Sequence, residues 1–132
     1  MDKNKIVRNE YDLPGMFEKI ETYHKELGYN FTTEKNPDKP MEHLRNLTLA
    51  LHTEVTELLD SFPWKPWRAM KDQKYDYENA KEEIVDIIFF LAGICEVTGI
   101  TAEAIEDKFI VKLAANYNRI NYGYNNKAED RR

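Results

Sequence analysis

The sequence predicts an all-α protein, an antiparallel bundle of four main helices. Apolar residues recur at three- and four-residue spacing through four long segments. No segment alternates convincingly with period two, as a half-buried strand would. Gly28, Gly99 and Gly123 each follow one of the periodic segments, in the position of a residue that ends a helix.

The first two helices are separated by a loop rich in Asn, Thr and Pro. Helix one is expected from about Pro14 to Leu27. Helix two is expected to begin near Pro40, which a first turn tolerates, and to stop before Phe62-Pro63. Its apolar stripe consists of Leu44, Leu47, Leu51, Val55 and Leu58.

The second half of the chain contains the other two helices. Residues 61–76 carry two prolines and mixed periodicity, which predicts a loop with at most a short helical turn. Helix three is expected from about Tyr77 to Thr98, with Gly99 as the residue that terminates it. Helix four should run from Thr101, a good N-cap, to about Asn121.

The length of 132 residues predicts one domain over 1–132, with a core at about 14–124 and a flexible tail at 125–132. A domain this small leaves much apolar helix surface uncovered. A second copy of the chain is therefore an expected partner, as a homodimer or a dimer of dimers.

Composition narrows the location and the partners. The polar N-terminus lacks a secretory signal, and the run from Ile84 to Cys95 contains Asp86 and is too short to span a membrane. The single cysteine has no disulfide partner, which favours the cytoplasm, or the host cytoplasm if the chain is phage-encoded. The net charge of −5 opposes binding of DNA or RNA.

Two pairs of acids are the strongest chemical signal. Glu54 and Glu57 lie one turn apart on helix two, and Glu83 and Asp86 lie one turn apart on helix three. Four carboxylates among apolar neighbours need cations to stay ionised, and an all-oxygen set suits Mg²⁺, with Mn²⁺ as a substitute. Any one such pair is more often a solvated helix face; two pairs on two amphipathic helices favour a metal site.

Helix four adds a polar stripe at i, i+4 and i+7. Lys112, Asn116 and Arg119 share one face, with Lys108 a turn earlier. Such a stripe offers the donors that phosphate oxygens accept, although a solvated face gives the same pattern.

These residues resemble a known family. The pattern Glu54-x-x-Glu57…Glu83-x-x-Asp86 is similar to the signature of the all-α NTP pyrophosphohydrolases, which include dimeric dUTPases, phage dCTPase-dUTPases and MazG proteins. The segment 64–67, Trp-Lys-Pro-Trp, resembles a Lys/Trp-rich segment of dimeric dUTPases. The pattern Lys112-x-x-x-Asn116-x-x-Arg119-x-x-x-Gly123-Tyr124 resembles their C-terminal motif. The chain resembles a compact phage-type or MazG-sized member.

The resemblance implies Mg²⁺-dependent hydrolysis of a (deoxy)nucleoside triphosphate, with dUTP and then dCTP as the expected substrates, to the monophosphate and pyrophosphate. The implied metal ligands and catalytic residues are Glu54, Glu57, Glu83 and Asp86. The implied phosphate-binding residues are Lys112, Asn116, Arg119 and Tyr124. The base or sugar contacts expected are Trp64, Lys65, Trp67 and Asn46.

Three other interpretations stay open at this point. A MazG-like enzyme acting on other nucleotides, including dGTP or dATP, would use the same metal site. A di-iron bundle is suggested by Glu21-x-x-His24, although such proteins need two of these motifs. A non-catalytic helical interaction module would leave the acids as surface decoration. His24 and His43 have no constellation of functional residues around them and are expected at the surface or in packing. His52 is expected to point away from Glu54.

Overall fold

The computed structural model describes residues 10–32 and 39–123. Within them the chain forms four α-helices, α1 (Leu13–Glu26), α2 (Lys39–Leu59), α3 (Tyr77–Thr98) and α4 (Ala102–Tyr122). A single 3₁₀ turn at Met70–Asp72 interrupts the loop between α2 and α3. No strand occurs in these residues, so the predicted all-α class is confirmed.

The helix ends follow local side-chain chemistry. Asp12, Asp76 and Thr101 cap α1, α3 and α4, each accepting a hydrogen bond from a backbone N–H in the first turn. Gly99 takes the left-handed conformation with φ of 74°, as predicted for the end of helix three. Because caps depend on neighbouring residues alone, the predicted bounds lie within a few residues of the observed ones.

Described residues up to Gly99 form one compact unit, and those from Ile100 onward form a second. In the first unit, α3 packs along α2 and also contacts α1. The buried apolar side chains of this unit are few, and two of the four are alanines: Ile20, Phe31, Ala80 and Ala92. Gly93 of α3 lies tightly against α2, since a Cβ there would lie 3.2 Å from Leu47 Cδ2. The adjacent helices α2 and α3 thus bring their acid pairs within reach of each other.

The loop after α2 is tied down by polar contacts. The Gln73 side chain accepts from the backbone N of Lys65 and donates to the carbonyls of Lys65 and Arg68. Buried Ser61 accepts from the Asn79 side chain at 2.8 Å. These bonds fix the entry into α3.

In the second unit, α4 carries many exposed large apolar side chains: Ile105, Phe109, Ile110, Val111, Leu113, Tyr117 and Ile120. Among the described residues no single helix is both long enough and apolar enough to cross a membrane; α3 and α4 pass that test only when taken together as a bent pair. The predicted flexible tail at 125–132 lies outside the described residues.

Candidate metal centre and active site

An acid cluster forms where α2 lies against α3. Glu54, Glu57 and Glu83 each place one carboxylate oxygen so that all three oxygens lie within 4.8 Å of one another. The first two come from successive turns of one helix face, and the third comes from the facing helix. This arrangement brings one carboxylate oxygen from each of the three side chains into a single cluster.

Two carboxylate oxygens of the cluster have no hydrogen-bond partner among the described residues. Glu83 is 8% exposed and Glu54 is half-buried. The Oε2 atoms of both side chains are buried and accept no hydrogen bond. Leaving a buried carboxylate oxygen unsatisfied costs on the order of 1–3 kcal/mol, and more for a charged group. A cation bound between these side chains would satisfy both atoms.

The neighbouring carboxylates raise the pKa of Glu54. A hydrogen bond with Glu83 raises the pKa of the Glu54 carboxyl to about 7, and desolvation and the negative charges of Glu57, Glu83 and Asp86 act in the same direction. A carboxyl with a raised pKa holds its proton more tightly, and a bound divalent cation would displace that proton.

Asp86, the fourth predicted acid, is exposed and lies outside the three-residue cluster. It is close enough for its charge to raise the Glu54 pKa, and it lines the same cavity as Glu54. The donor set is all oxygen, without histidine or cysteine, which fits Mg²⁺ or Mn²⁺. No histidine-containing cluster of ligands occurs in the described residues, which leaves the di-iron interpretation without support.

A cavity of about 590 Å³ opens beside the acids. This volume lies in the range of small-molecule sites, about 300–1,000 Å³. Its wall is mainly aromatic and apolar. Besides the acids Glu54 and Asp86, the polar side chains in the wall are Asn46, His24 and His43. The remaining lining residues are Tyr23, Leu27, Tyr29, Phe31, Leu47, Phe89 and Phe90. Of the four side chains expected to contact the base or sugar, Asn46 lines this cavity.

The other three lie in the loop after α2. Trp64 donates through Nε1 to Asp60 at 2.9 Å, and Trp67 packs edge-on against it with ring centroids 5.4 Å apart. The Lys65 ammonium lies 6.0 Å from the Trp64 ring centroid. Trp64 and Lys65 line a separate cleft of about 160 Å³, and Trp67 is 70% exposed. None of the three is part of the wall of the larger cavity.

On α4, Lys112 and Asn116 are exposed and Arg119 is half-buried. Arg119 Nη1 donates to Asn116 Oδ1 at 3.5 Å, as expected for neighbours on one helix face. Tyr124, the last member of the predicted phosphate-binding set, lies outside the described residues.

One buried pair was missed by sequence reasoning. His24 is 9% exposed, and its Nδ1 lies 2.6 Å from Glu96 Oε2 on α3. The predicted surface or packing role of His24 did not include this pairing with Glu96. The pairing joins residues 72 positions apart, so no local spacing could have revealed it. The one signal in the sequence for such a pair was Glu96, an acid near the end of the apolar third helix.

The comparison with known families adds the decisive observation. A family model described as dUTPase matches residues 13–94. The chain belongs to the dUTPase family. The matched range covers α1, α2 and most of α3, and it contains all four acids. No curated protein and no solved structure matches the chain.

Membership assigns the chain to the dUTPase-like nucleotide hydrolases, which act on a nucleotide substrate and usually use Mg²⁺. The acid cluster provides ligands for such an ion. The matched range ends before α4. The phosphate-binding role predicted for the Lys112–Arg119 stripe therefore depends on the sequence motif of that helix alone.

Proposed function

We propose that this dUTPase-family protein hydrolyses dUTP, and with it dCTP, to the monophosphate and pyrophosphate in the presence of Mg²⁺. The observation that carries the proposal is the cluster of Glu54, Glu57 and Glu83, whose buried oxygens lack partners, beside a nucleotide-sized cavity. The family match to the same helices supports it.

In this proposal Glu54, Glu57, Glu83 and Asp86 hold Mg²⁺, which when bound activates water and polarises the phosphate oxygens. The proximity of Glu54 to Glu57 lets one of them also orient the attacking water through a free carboxylate oxygen. These side chains sit on rigid helices, which favours a fixed geometry for attack on phosphorus.

The stripe Lys112, Asn116 and Arg119, together with Tyr124, binds the triphosphate in this proposal. Lysine and arginine offset the negative charge that grows on the leaving pyrophosphate, and the asparagine amide supplies a neutral donor. Arg119→Gln is expected to lower kcat, with the exposed Lys108 as a less affected position on the same helix.

The base and sugar contacts are assigned in this proposal to Asn46 in the cavity wall. Trp64, Lys65 and Trp67 stay a prediction from the family resemblance, since they lie outside that wall. An asparagine amide offers both a donor and an acceptor to the edge of a base. The aromatic walls around Asn46 supply the stacking surface that a base needs.

The exposed apolar side chains of α4 support assembly as a homodimer, because a soluble protein rarely leaves a large contiguous apolar surface uncovered. Sedimentation equilibrium at micromolar concentration should give twice the mass of one chain or a multiple of it. A monomer at that concentration would contradict this part of the proposal.

The test is turnover of a panel of ribo- and deoxynucleoside triphosphates with Mg²⁺, with pyrophosphate and orthophosphate measured separately. Pyrophosphate release fastest from dUTP supports the proposal, and a preference for dGTP or dATP would move the protein to the MazG-like alternative. Glu83→Gln should abolish release. Glu82→Gln, an exposed neighbour on the same helix, is the matched control. No release from any triphosphate would favour the interaction-module alternative.

A further inference from the structure

The buried His24–Glu96 pair belongs to the wall of the cavity. His24 lines the cavity, whereas Glu96 lies behind it and bonds the ring at 2.6 Å. The two side chains are 11% and 8% exposed. Burial raises the pKa of the Glu96 carboxyl, and the hydrogen bond and charge of His24 oppose that rise. Such a short, desolvated contact fixes which ring nitrogen faces the acid.

The ring itself cannot turn freely. Phe31 meets it edge-on with centroids 5.4 Å apart, and Tyr23 lies 6.0 Å away on the same helix. Gly93 also lies next to the ring, since a Cβ at that position would approach His24 Cε1 to 3.5 Å. The imidazole is therefore held in one orientation by packing as well as by Glu96.

Only Nε2 remains for a ligand. Nδ1 is engaged by Glu96, and no described residue hydrogen-bonds Nε2. A polar nitrogen in a largely aromatic wall, with no partner from the described residues, is suited to a polar group on a bound molecule. The acids Glu54 and Asp86 line the same cavity, so a nucleotide whose phosphates approach them would place its base against the aromatic wall.

We infer that His24, positioned by Glu96, is a specificity-determining residue that hydrogen-bonds the nucleobase edge through Nε2. This inference rests on the proposed function, because it assigns a role within the same site. It distinguishes bases because a ligand with no complementary group at that edge leaves a buried nitrogen unsatisfied. Glu96 acts through His24 and has no contact with the substrate.

The test is a double variant, His24→Phe with Glu96→Leu. The two changes remove the nitrogen and its buried counter-charge together, and replacing a buried ion pair by apolar groups of similar volume is often neutral for stability. We expect KM for the best substrate to rise about 10- to 100-fold, the loss of one hydrogen bond to a charged or strongly polarised group, with kcat changed much less. The ranking of bases should flatten. His52→Gln, an exposed position on α2, is the matched control.

A base-free probe separates the base from the phosphates. Binding of inorganic tripolyphosphate with Mg²⁺ should be the same in the wild type and the double variant. In the wild type, the ¹⁵N shift of His24 Nε2 should move when dUMP is added and stay unchanged with tripolyphosphate, a measurement that does not depend on how the variant folds.

The outcomes separate the two proposals. If the wild type hydrolyses nucleotides but the double variant keeps its KM and base ranking, or the Nε2 shift ignores dUMP, the role of His24 is overturned and the proposed function stands. If the wild type releases pyrophosphate from no triphosphate, both are overturned. An equal loss of tripolyphosphate binding would also overturn the inference, since it would show a general disturbance of the site.

Discussion

Two regions of the first unit bury carboxylates, and they treat them differently. Glu96 is buried against His24, which supplies a hydrogen bond from within the protein. Glu83 is also buried, yet its Oε2 and the Oε2 of Glu54 have no hydrogen-bond partner among the described residues. The fold therefore satisfies one buried acid internally and leaves the others without a protein partner. The lack of a protein partner, more than the acidity, is what favours the acid cluster as the metal site we propose.

The largest expected effect comes from removing a ligand on the unsatisfied side. Glu83→Gln keeps the volume and removes the charge, so turnover should fall on the order of 10³-fold, as for loss of a group that stabilises a charged transition state. The folded state should be no less stable without metal, because like-charge repulsion is relieved. Initial rates and thermal unfolding check both parts, and substantial residual activity would sink the ligand assignment.

For the buried His24–Glu96 pair, removing one partner is expected to lower the stability of the fold. His24→Leu leaves the Glu96 carboxylate buried without a partner and should lower the free energy of unfolding by about 3–5 kcal/mol. Adding Glu96→Leu should restore most of the loss. Urea titrations of the two variants measure this, and an equal stability of the single variant and the wild type would show that the pair is not a structural contact.

Metal binding should affect the two regions unequally. At a Mg²⁺ concentration 100-fold above its Kd, linkage predicts about 2.7 kcal/mol of added stability for the wild type. Glu83→Gln should lose this gain, whereas the double variant at His24 and Glu96 should keep it. Thermal unfolding with Mg²⁺ and with a chelator makes the comparison. A gain retained in Glu83→Gln would place the ion elsewhere.

The smallest effect concerns pH without metal. The pKa of Glu54 is raised to about 7 from an ordinary value of 4.5. A raised carboxyl pKa gives stability that is complete below about pH 4.5 and is lost as pH rises through about 7. Glu54→Gln cannot ionise, so its melting temperature relative to the wild type should rise by roughly 2–4 °C between pH 4.5 and 8. Thermal scans in chelator-treated buffers test this, and a constant difference between the two proteins would contradict the raised pKa of Glu54.

Some parts of the site were predictable and others were not. Glu54 and Glu57 share a face because helical periodicity is local, and the apolar stripe of α2 was enough to place them. Asn46 was assigned to the base on position alone, and it lies in the cavity wall. The Trp64 loop lies at another cleft because its path depends on the contacts of Gln73 and Ser61, which sequence patterns do not encode.

The sequence by itself determined the four helices, their caps and the pairing of acids on each helix face. These features depend on residues within one or two turns, where propensity, capping and spacing act. The tertiary structure decided that Glu83 meets Glu54, that Asp86 stays outside the cluster, and that Glu96 reaches His24. Those contacts depend on the register between helices, which packing at positions such as Gly93 sets and which no local pattern records.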